Sequence, residues 1–409
     1  MKILFCLTIS LYRLFVELVF FISRPLLWLI LPLYRYRSAL KPPTARKDCP
    51  VLIHCASVGE INAISPLIKN LIERGIPVHL SLVTASGLDI ARRSFPELVS
   101  ELAVLDVYSL RTAQLKAISP RLIIIVETEI WPMLLERAAK NEIPIIFINA
   151  RMSAATYKHY MKAKGLIRYL ARSVKLVLAQ SEDDRMRFVS LFHTESGNAG
   201  NLKYCLRLPE YDVHSVVEEY GFAPGDRILV WGSSRPGEES LIIPIYGSLK
   251  EKFANLKLIL APRHPKRVPE VEKILAGKDY RLLSQELRNT DILLIDSLGQ
   301  LTKAYAIAEI AIVGGSFYDF GGHNPLEPAF YSKPVVIGKH HHSCKASVKK
   351  LSASNAICIA DNETLQTELE LLLSDENLRI QMGKRAKIVL TENADALENH
   401  IQGIDKWLR

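Results

Sequence analysis

Beyond Pro50 the chain alternates short apolar runs with longer amphipathic stretches. Runs over 51–56, 78–83, 122–126, 145–148 and 176–179 read as strands buried on both faces, and helical patterns separate them. Such alternation is the signature of right-handed βαβ units in a parallel sheet covered on both sides. The pattern restarts near Asp226, with strands expected over 228–231, 256–260, 292–295, 310–313 and 335–337. Residues 209–225 are acidic, weakly periodic and end in Ala-Pro-Gly, the marks of a linker. The expected organisation is therefore a segment over 1–34, a Rossmann-like domain over 35–208, a linker over 209–225 and a second Rossmann-like domain over 226–409. Two doubly wound domains facing each other would form a cleft at the carboxyl ends of their strands, where helix amino termini favour phosphate and carboxylate.

The first segment departs from that pattern. From Ile3 to Tyr34 it is rich in Leu, Ile, Phe, Val and Trp, interrupted by Arg13, Glu17 and Arg24. At about 100° per residue these three charges fall within roughly 40° of one another, so a narrow polar stripe faces a wide apolar surface. Two anchors fit: a helix lying in the membrane interface, or a tilted spanning helix in which Arg13 and Glu17 pair at i, i+4. Arg35, Arg37, Lys41, Arg46 and Lys47 follow, a cluster that normally stays on the cytoplasmic side of the inner membrane.

At 409 residues the chain suits two domains of ordinary size, and 49% hydrophobic against 23% charged residues leaves no long disordered tail. A net charge of +9 points to an anionic partner. No arginine-rich arm, zinc-finger spacing or aromatic-and-glycine RNA-binding signature accompanies it, so membrane lipid or phosphate is expected rather than nucleic acid. Cys6, Cys49, Cys55, Cys205, Cys344 and Cys358 are scattered, with no C-x-x-C pair to suggest disulfides or zinc.

Candidate chemistry gathers at the predicted strand ends. Ser57-Val58-Gly59-Glu60 follows the first strand. It reads as a capping box, Ser57 at the N-cap and Glu60 reaching back, or as a glycine-opened turn that presents Glu60 as a proton acceptor beside a closely approaching substrate. Glu127 and Glu129 close the most apolar strand; a single E-x-E is weak evidence for a metal, and electrostatic or hydrogen-bonding roles are preferred. Arg151 either clamps a phosphate or pairs with those glutamates. In the second half, Pro262-Arg263-His264-Pro265 presents an arginine fork from a stiffened turn. Leu298-Gly299-Gln300 opens a helix and offers amides to a nucleotide, or is a plain helix start. Gly315-Ser316 and Asn324-Pro325-Leu326-Glu327 combine glycine turns with a helix start. They form a capping box with Asn324 at the N-cap, and the glycines add amides for phosphate and a carboxylate for ribose hydroxyls. His340, His341 and His342 have no companion ligands at a metal spacing, so no metal is expected.

Taken in order, HCASVGE, ETEIWP, NARMS, AQSEDD, GNLK, GEE, PRHPKR, and GGS with GGHNPLEP resemble the 3-deoxy-D-manno-octulosonic acid (Kdo) transferases of lipopolysaccharide synthesis over nearly the whole chain. The resemblance implies the GT-B fold, CMP-Kdo as donor, the lipid A precursor (lipid IVA) as acceptor, inversion at the anomeric carbon, and no metal or other cofactor. It further implies Glu60 as catalytic base and Glu127 and Lys203 as transition-state stabilisers. Pro262, Arg263, Leu298, Gly299, Gln300, Asn324, Pro325, Leu326 and Glu327 would hold CMP. Gly315 and Ser316 join the donor side, and Ser57, Gly59, Glu129 and Arg151 support the acceptor side. The chain departs from the pattern at Cys205, at Gln300 and at Lys339-His340-His341-His342, which bears on finer donor contacts and on how many sugars are added. The competing readings are a GT-B transferase or epimerase using a UDP-sugar, and a basic membrane-bound scaffold with no need of Glu60.

Overall fold

The computed structural model describes residues 2–30, 38–206 and 208–408, and it divides into two compact units. The first comprises Met1–Cys205 with Asn393–Arg409, the second Leu206–Glu392. Two boundaries differ from those expected. The C-terminal segment belongs to the first unit. Within 209–225, Val213–Glu219 is a helix with Asp212 as its N-cap, and Val216, Tyr220 and Phe222 are buried in the second unit's core. Of the acidic residues that suggested a linker, Glu218 and Glu219 are exposed on that helix and Asp212 caps it.

The first unit carries a seven-stranded, all-parallel sheet in the order β3-β2-β1-β4-β5-β6-β7. Its strands are β1 (Val51–Cys55), β2 (Val78–Leu82), β3 (Val99–Leu102), β4 (Leu122–Val126), β5 (Ile145–Ala150), β6 (Val174–Ala179) and β7 (Glu195–Asn198). The strand order reverses between β1 and β4, which pair in register Val51↔Leu122 through His54↔Ile125. Successive side chains feed opposite cores: Val51, Ile53, Leu122 and Ile124 enter one, Leu52, Ile123 and Ile125 the other. The central strands are buried on both faces for that reason, and their sequences are continuous apolar runs.

The second unit repeats the plan as β10-β11-β9-β8-β12-β13-β14. Here β8 is Arg227–Ser234, β9 Leu256–Pro262, β10 Tyr280–Leu282, β11 Ile292–Leu294, β12 Ile310–Val313, β13 Val335–Gly338 and β14 Ile357–Ala360. Its order reverses between β8 and β12. In such sheets the turns flanking the reversal open a crevice at the strand carboxyl ends.

The N-terminal helix Lys2–Ile30 lies on the first unit. Ile9 and Phe20 are buried, and Val16 packs with Phe20, Leu40, Val104, Val107 and Leu110. The polar stripe faces inward: Arg13 stacks 3.9 Å over the Tyr108 ring, and Glu17 accepts from the Ser109 amide at 2.5 Å and its hydroxyl at 3.1 Å. Leu7, Leu11, Leu14, Phe15, Leu18, Phe21 and Ile22 are left exposed, Phe21 at 77%. No helix among the described residues is long and apolar enough to cross a membrane, so the spanning alternative finds no support. The side chain of Arg24, together with Arg35 and Arg37, lies outside the described residues. Arg46 is tied to Asp48 and to the Val78 carbonyl, while Lys41 and Lys47 are exposed.

Candidate active site

At the β1 end of the first unit's reversal, the chain turns into the helix Val58–Glu73 through a reciprocal cap. Ser57 Oγ accepts from the Glu60 amide at 3.3 Å, and Glu60 Oε2 accepts from the Ala56 amide at 2.7 Å. Ser57 Oγ also donates to Glu60 Oε1 at 3.2 Å. The capping-box reading of this turn therefore holds geometrically. Gly59 is not demanded by the fold, since a Cβ there would meet only Ser57 Oγ, at 3.8 Å. Glu60 keeps 6% of its surface exposed. Burial, then the charges of Glu127 and Glu129, push its carboxyl up to about 7 from an ordinary 4.5. That disfavours the ionised form by about 3 kcal/mol.

Across the reversal, β4 ends at Glu127, held at φ 58°, a left-handed conformation that costs a non-glycine residue about 1–3 kcal/mol. Its Oε1 accepts from Lys203 Nζ at 3.1 Å and its Oε2 lies 3.8 Å from Arg151 Nη2. Arg151 thus sits beside the acidic pair, the second of the two arrangements open for it, with just over half its side chain exposed. Lys203 lies in a short turn, Leu202–Tyr204, and is partly exposed. Glu129 Oε2 accepts from Trp131 Nε1 at 3.0 Å, and burial with the Glu127 charge raises its pKa. Three carboxylates and two cations therefore converge at the carboxyl end of one sheet.

Residues with no motif of their own support this cluster. Arg111 is fully buried, donating to Asp106 at 3.0 Å and Gln114 at 2.9 Å, with its guanidinium 5.4 Å from the Trp131 ring. Asp106 also accepts from the Met133 and Leu134 amides, capping the helix Pro132–Lys140. His54 meets Trp131 edge to face at 5.5 Å; burial and Arg111 lower its pKa to about 3, so it is a neutral spacer. None of these is legible from spacing, because what ties them to the carboxylate cluster is Trp131 and the amides after it, which follow a different strand.

The second unit uses the equivalent turn differently. Glu238, after β8, is buried. Its Oε2 accepts from the Arg235 and Gly315 amides at 2.9 and 2.8 Å, its Oε1 from the Ser316 and Phe317 amides at 3.0 Å each. Burial raises its pKa, opposed by those four amides. The Gly315 and Ser316 amides expected to meet a phosphate are thus already engaged. Ser316 Oγ is also internal, donating to the Val313 carbonyl and accepting from the Gly338 amide. Glycine is required at 314, where a Cβ would lie 2.7 Å from the Ser233 carbonyl oxygen. Glu239 is locked to Arg267 at 2.7 and 3.0 Å.

Other nominated residues remain available. Pro262 ends β9 and exposes Arg263, whose amide donates to the Ser234 carbonyl at 3.1 Å. Asn324 Oδ1 accepts from the Leu326 amide at 3.1 Å and its Nδ2 donates to Glu327 at 3.3 Å, while Pro325 occupies the cap of the helix Leu326–Phe330. That start falls one residue later than the expected N-cap at Asn324, a shift within ordinary fraying of helix ends. Leu298 and Gly299 are exposed, and the Gln300 carbonyl accepts from Tyr220 at 3.2 Å. Arg235, unmarked by any sequence motif, donates to His264 Nε2 at 3.1 Å and to His323 Nε2 at 3.4 Å. Burial, then Arg263 and Arg235, lower His323 to about 4. Arg235 and Arg263 therefore stand as cations beside neutral imidazoles. His340 and His342 lie 3.8 and 3.6 Å from Asp319, and no group of three or more metal-type side chains converges among the described residues.

Two doubly wound parallel sheets with charged turns at their strand carboxyl ends define the GT-B class of glycosyltransferase folds. The sequence model of the family described as 3-deoxy-D-manno-octulosonic-acid transferase (kdotransferase) matches residues 33–206. The chain is 30% identical over 397 residues to a 3-deoxy-D-manno-octulosonic acid transferase of Haemophilus influenzae, covering 92% of each. The fold is shared with MurG of Acinetobacter baumannii (TM-score 0.54, 14% identity, 89% of this chain and 100% of that one). A UDP-GlcNAc 2-epimerase of Neisseria meningitidis shares it too (TM-score 0.56, 12% identity, 87% and 100%), so fold alone does not separate transferase from epimerase. The sequence relation does: the chain belongs to the 3-deoxy-D-manno-octulosonic acid transferase family and is a glycosyltransferase.

Replacing Glu238 by Gln puts an NH2 group where an oxygen accepts two amides. Each buried N–H left without an acceptor costs about 1–3 kcal/mol, so urea denaturation should show the second unit destabilised by at least that much. Unchanged stability would mean that the glycine turn does not depend on this carboxylate.

Proposed function

We propose that this chain transfers Kdo from CMP-Kdo to the lipid A precursor, lipid IVA, with inversion and without a metal, in lipopolysaccharide biosynthesis. Family membership supports the reaction, and the observation that carries the mechanism is the Glu60 carboxyl, poised near neutrality at the end of β1. A base works best when its pKa lies near the working pH. Each Glu60 oxygen already accepts one hydrogen bond, from Ala56 or Ser57, and a second lone pair on each remains for an incoming hydroxyl.

In this reading Glu60 takes the proton of a glucosamine 6-hydroxyl. The oxygen attacks the ketosidic carbon of Kdo, the new C–O bond forms, and the bond to the phosphate oxygen breaks on the opposite face as CMP departs. Arg263 neutralises the leaving phosphate. Lys203, held by Glu127, meets the Kdo carboxylate or that phosphate; both are anions, and both fit a partly exposed ammonium. Leu298, Gly299, Gln300, Asn324, Pro325, Leu326 and Glu327 are assigned to CMP. CMP is a good leaving group, which makes a metal dispensable.

The N-terminal helix is assigned to the cytoplasmic leaflet of the inner membrane. Its charges are used to dock on the first unit, and its exposed leucines and phenylalanines have no other cover among the described contacts of that helix. Such a face lies in an interface rather than across it.

Glu60→Gln keeps the shape and removes the base, so kcat for transfer of radiolabelled Kdo to lipid IVA should fall about 100- to 10,000-fold. In the parent enzyme kcat/KM should rise with pH through about 7, because Glu60 must lose its proton to act. Unaltered transfer by Glu60→Gln would refute the assignment. Calorimetric binding of UDP-sugars in place of CMP would instead refute the donor. Phe15→Ser with Phe21→Ser should weaken sedimentation with anionic vesicles at least tenfold, since each buried phenylalanine contributes about 1.5–3 kcal/mol; undiminished binding would remove the helix from the membrane reading.

A further inference from the structure

The C-terminal segment returns to the first unit and ends in the helix Ala396–Asp405, which carries His400. His400 is fully buried. Its Nδ1 lies 2.6 Å from the Ala396 carbonyl oxygen, and its Nε2 accepts from the Asn149 amide at 2.9 Å. A carbonyl only accepts and an amide only donates, so these partners assign a neutral ring with its proton on Nδ1.

Asn149 needs that acceptor. The β5–β6 pairing is irregular between Phe147 and Ala150, and Asn149 adopts φ 48°. Its amide therefore leaves the ladder, and a buried N–H without a partner would be costly. The same bend aims the rest of the residue at the next loop. Asn149 Oδ1 accepts from the Leu202 amide at 3.0 Å, and its carbonyl accepts from Gln180 Nε2 at 2.8 Å. Gln180 Oε1 accepts from Asn201 Nδ2 at 2.8 Å, and Asn201 Oδ1 accepts from the Lys203 amide at 2.9 Å. The turn bearing Lys203 thus hangs from Asn149 and Gln180. The helix start also presses on it, since a Cβ on Gly200 would meet Ala396 Cβ at 2.9 Å.

We infer that His400 is a positioning residue for the transfer reaction: by accepting the Asn149 amide it holds the bend at the end of β5 that fixes the Lys203 turn, and with it the Lys203–Glu127 pair. The inference rests on the proposed role of Lys203. Its alternative is a core histidine that only adds stability, and the two differ in what reaches Leu202 and Lys203. A structural histidine would weaken the whole unit evenly. A positioning histidine loosens one turn.

The test uses the full chain with His400→Leu, which removes the acceptor, and His400→Gln, whose side-chain oxygen restores one. Asn149→Gly keeps the left-handed backbone and removes the Leu202 cap. Hydrogen exchange at the Leu202 amide should quicken at least tenfold in His400→Leu and Asn149→Gly, with β2 amides unchanged and with His400→Gln near the parent. Removal of a supporting partner typically costs 10–100-fold, so kcat should fall by about that factor while KM for the donor holds. In a Lys203→Ala background that loss should vanish. Unchanged exchange at Leu202 in His400→Leu, or a kcat loss that persists undiminished without Lys203, would overturn the inference. Should His400→Leu not fold, His400→Phe, which keeps a ring of similar shape and also lacks the acceptor, carries the same readouts. Should Lys203→Ala alone leave transfer intact, the assigned role of Lys203 falls, and the exchange data decide the positioning claim separately.

Discussion

Three glutamates share the carboxyl end of one buried parallel sheet, and the repulsion among them is the constraint around which the first unit's site is arranged. Glu60, Glu127 and Glu129 cannot all be ionised cheaply where water is scarce. The protein resolves this by giving each a different partner. Glu127 receives the cations, Lys203 and Arg151; Glu129 receives the indole N–H of Trp131; Glu60 receives only an amide and a hydroxyl. Burial then raises both groups that have no cation, Glu129 and above all Glu60, which is left near 7. The cations go to Glu127, and the raised pKa falls on Glu60.

The two units show one turn serving two ends. Each runs from a strand at the reversal of its sheet into a helix with a glutamate in its first turn. In the first unit that glutamate is buried in the turn beside other carboxylates and accepts only one amide and one hydroxyl. In the second, Glu238 is drawn inward and spends both oxygens on four backbone amides, which shapes the glycine turn after β12. A phosphate and a carboxylate make similar demands on an N–H array, and the second unit has filled its array with its own side chain. Two cations, Arg235 and Arg263, remain outside that array.

What was legible in the sequence follows the same physics. Central strands are buried on both faces, so their apolar runs announced them. All four edge strands, β3, β7, β10 and β14, went unnoticed: they pair on one side only, and three of them, such as Glu195–Asn198, carry polar residues. Glu60, Glu127 and Arg151 were visible because strand ends are where chemistry collects. Ser316 was misread because a glycine-serine turn looks the same whether its amides face a ligand or a buried carboxylate. Arg111, Arg235 and His400 were invisible, since the contacts that tie each to its site, to Trp131, to His264 and His323, and to Asn149, come from elsewhere in the chain. The helix Val213–Glu219 and the return of the C-terminal segment were hidden for the same reason.

The charge state of Glu60 decides whether it can act as a base, and a carboxyl-carbon NMR titration of Glu60 in the intact protein measures it most directly. A midpoint near 7, moving downward in Glu127→Gln, is the predicted result. A midpoint at the ordinary 4.5 with Glu127 in place would show that neither burial nor the neighbouring carboxylates prepare Glu60 as a base.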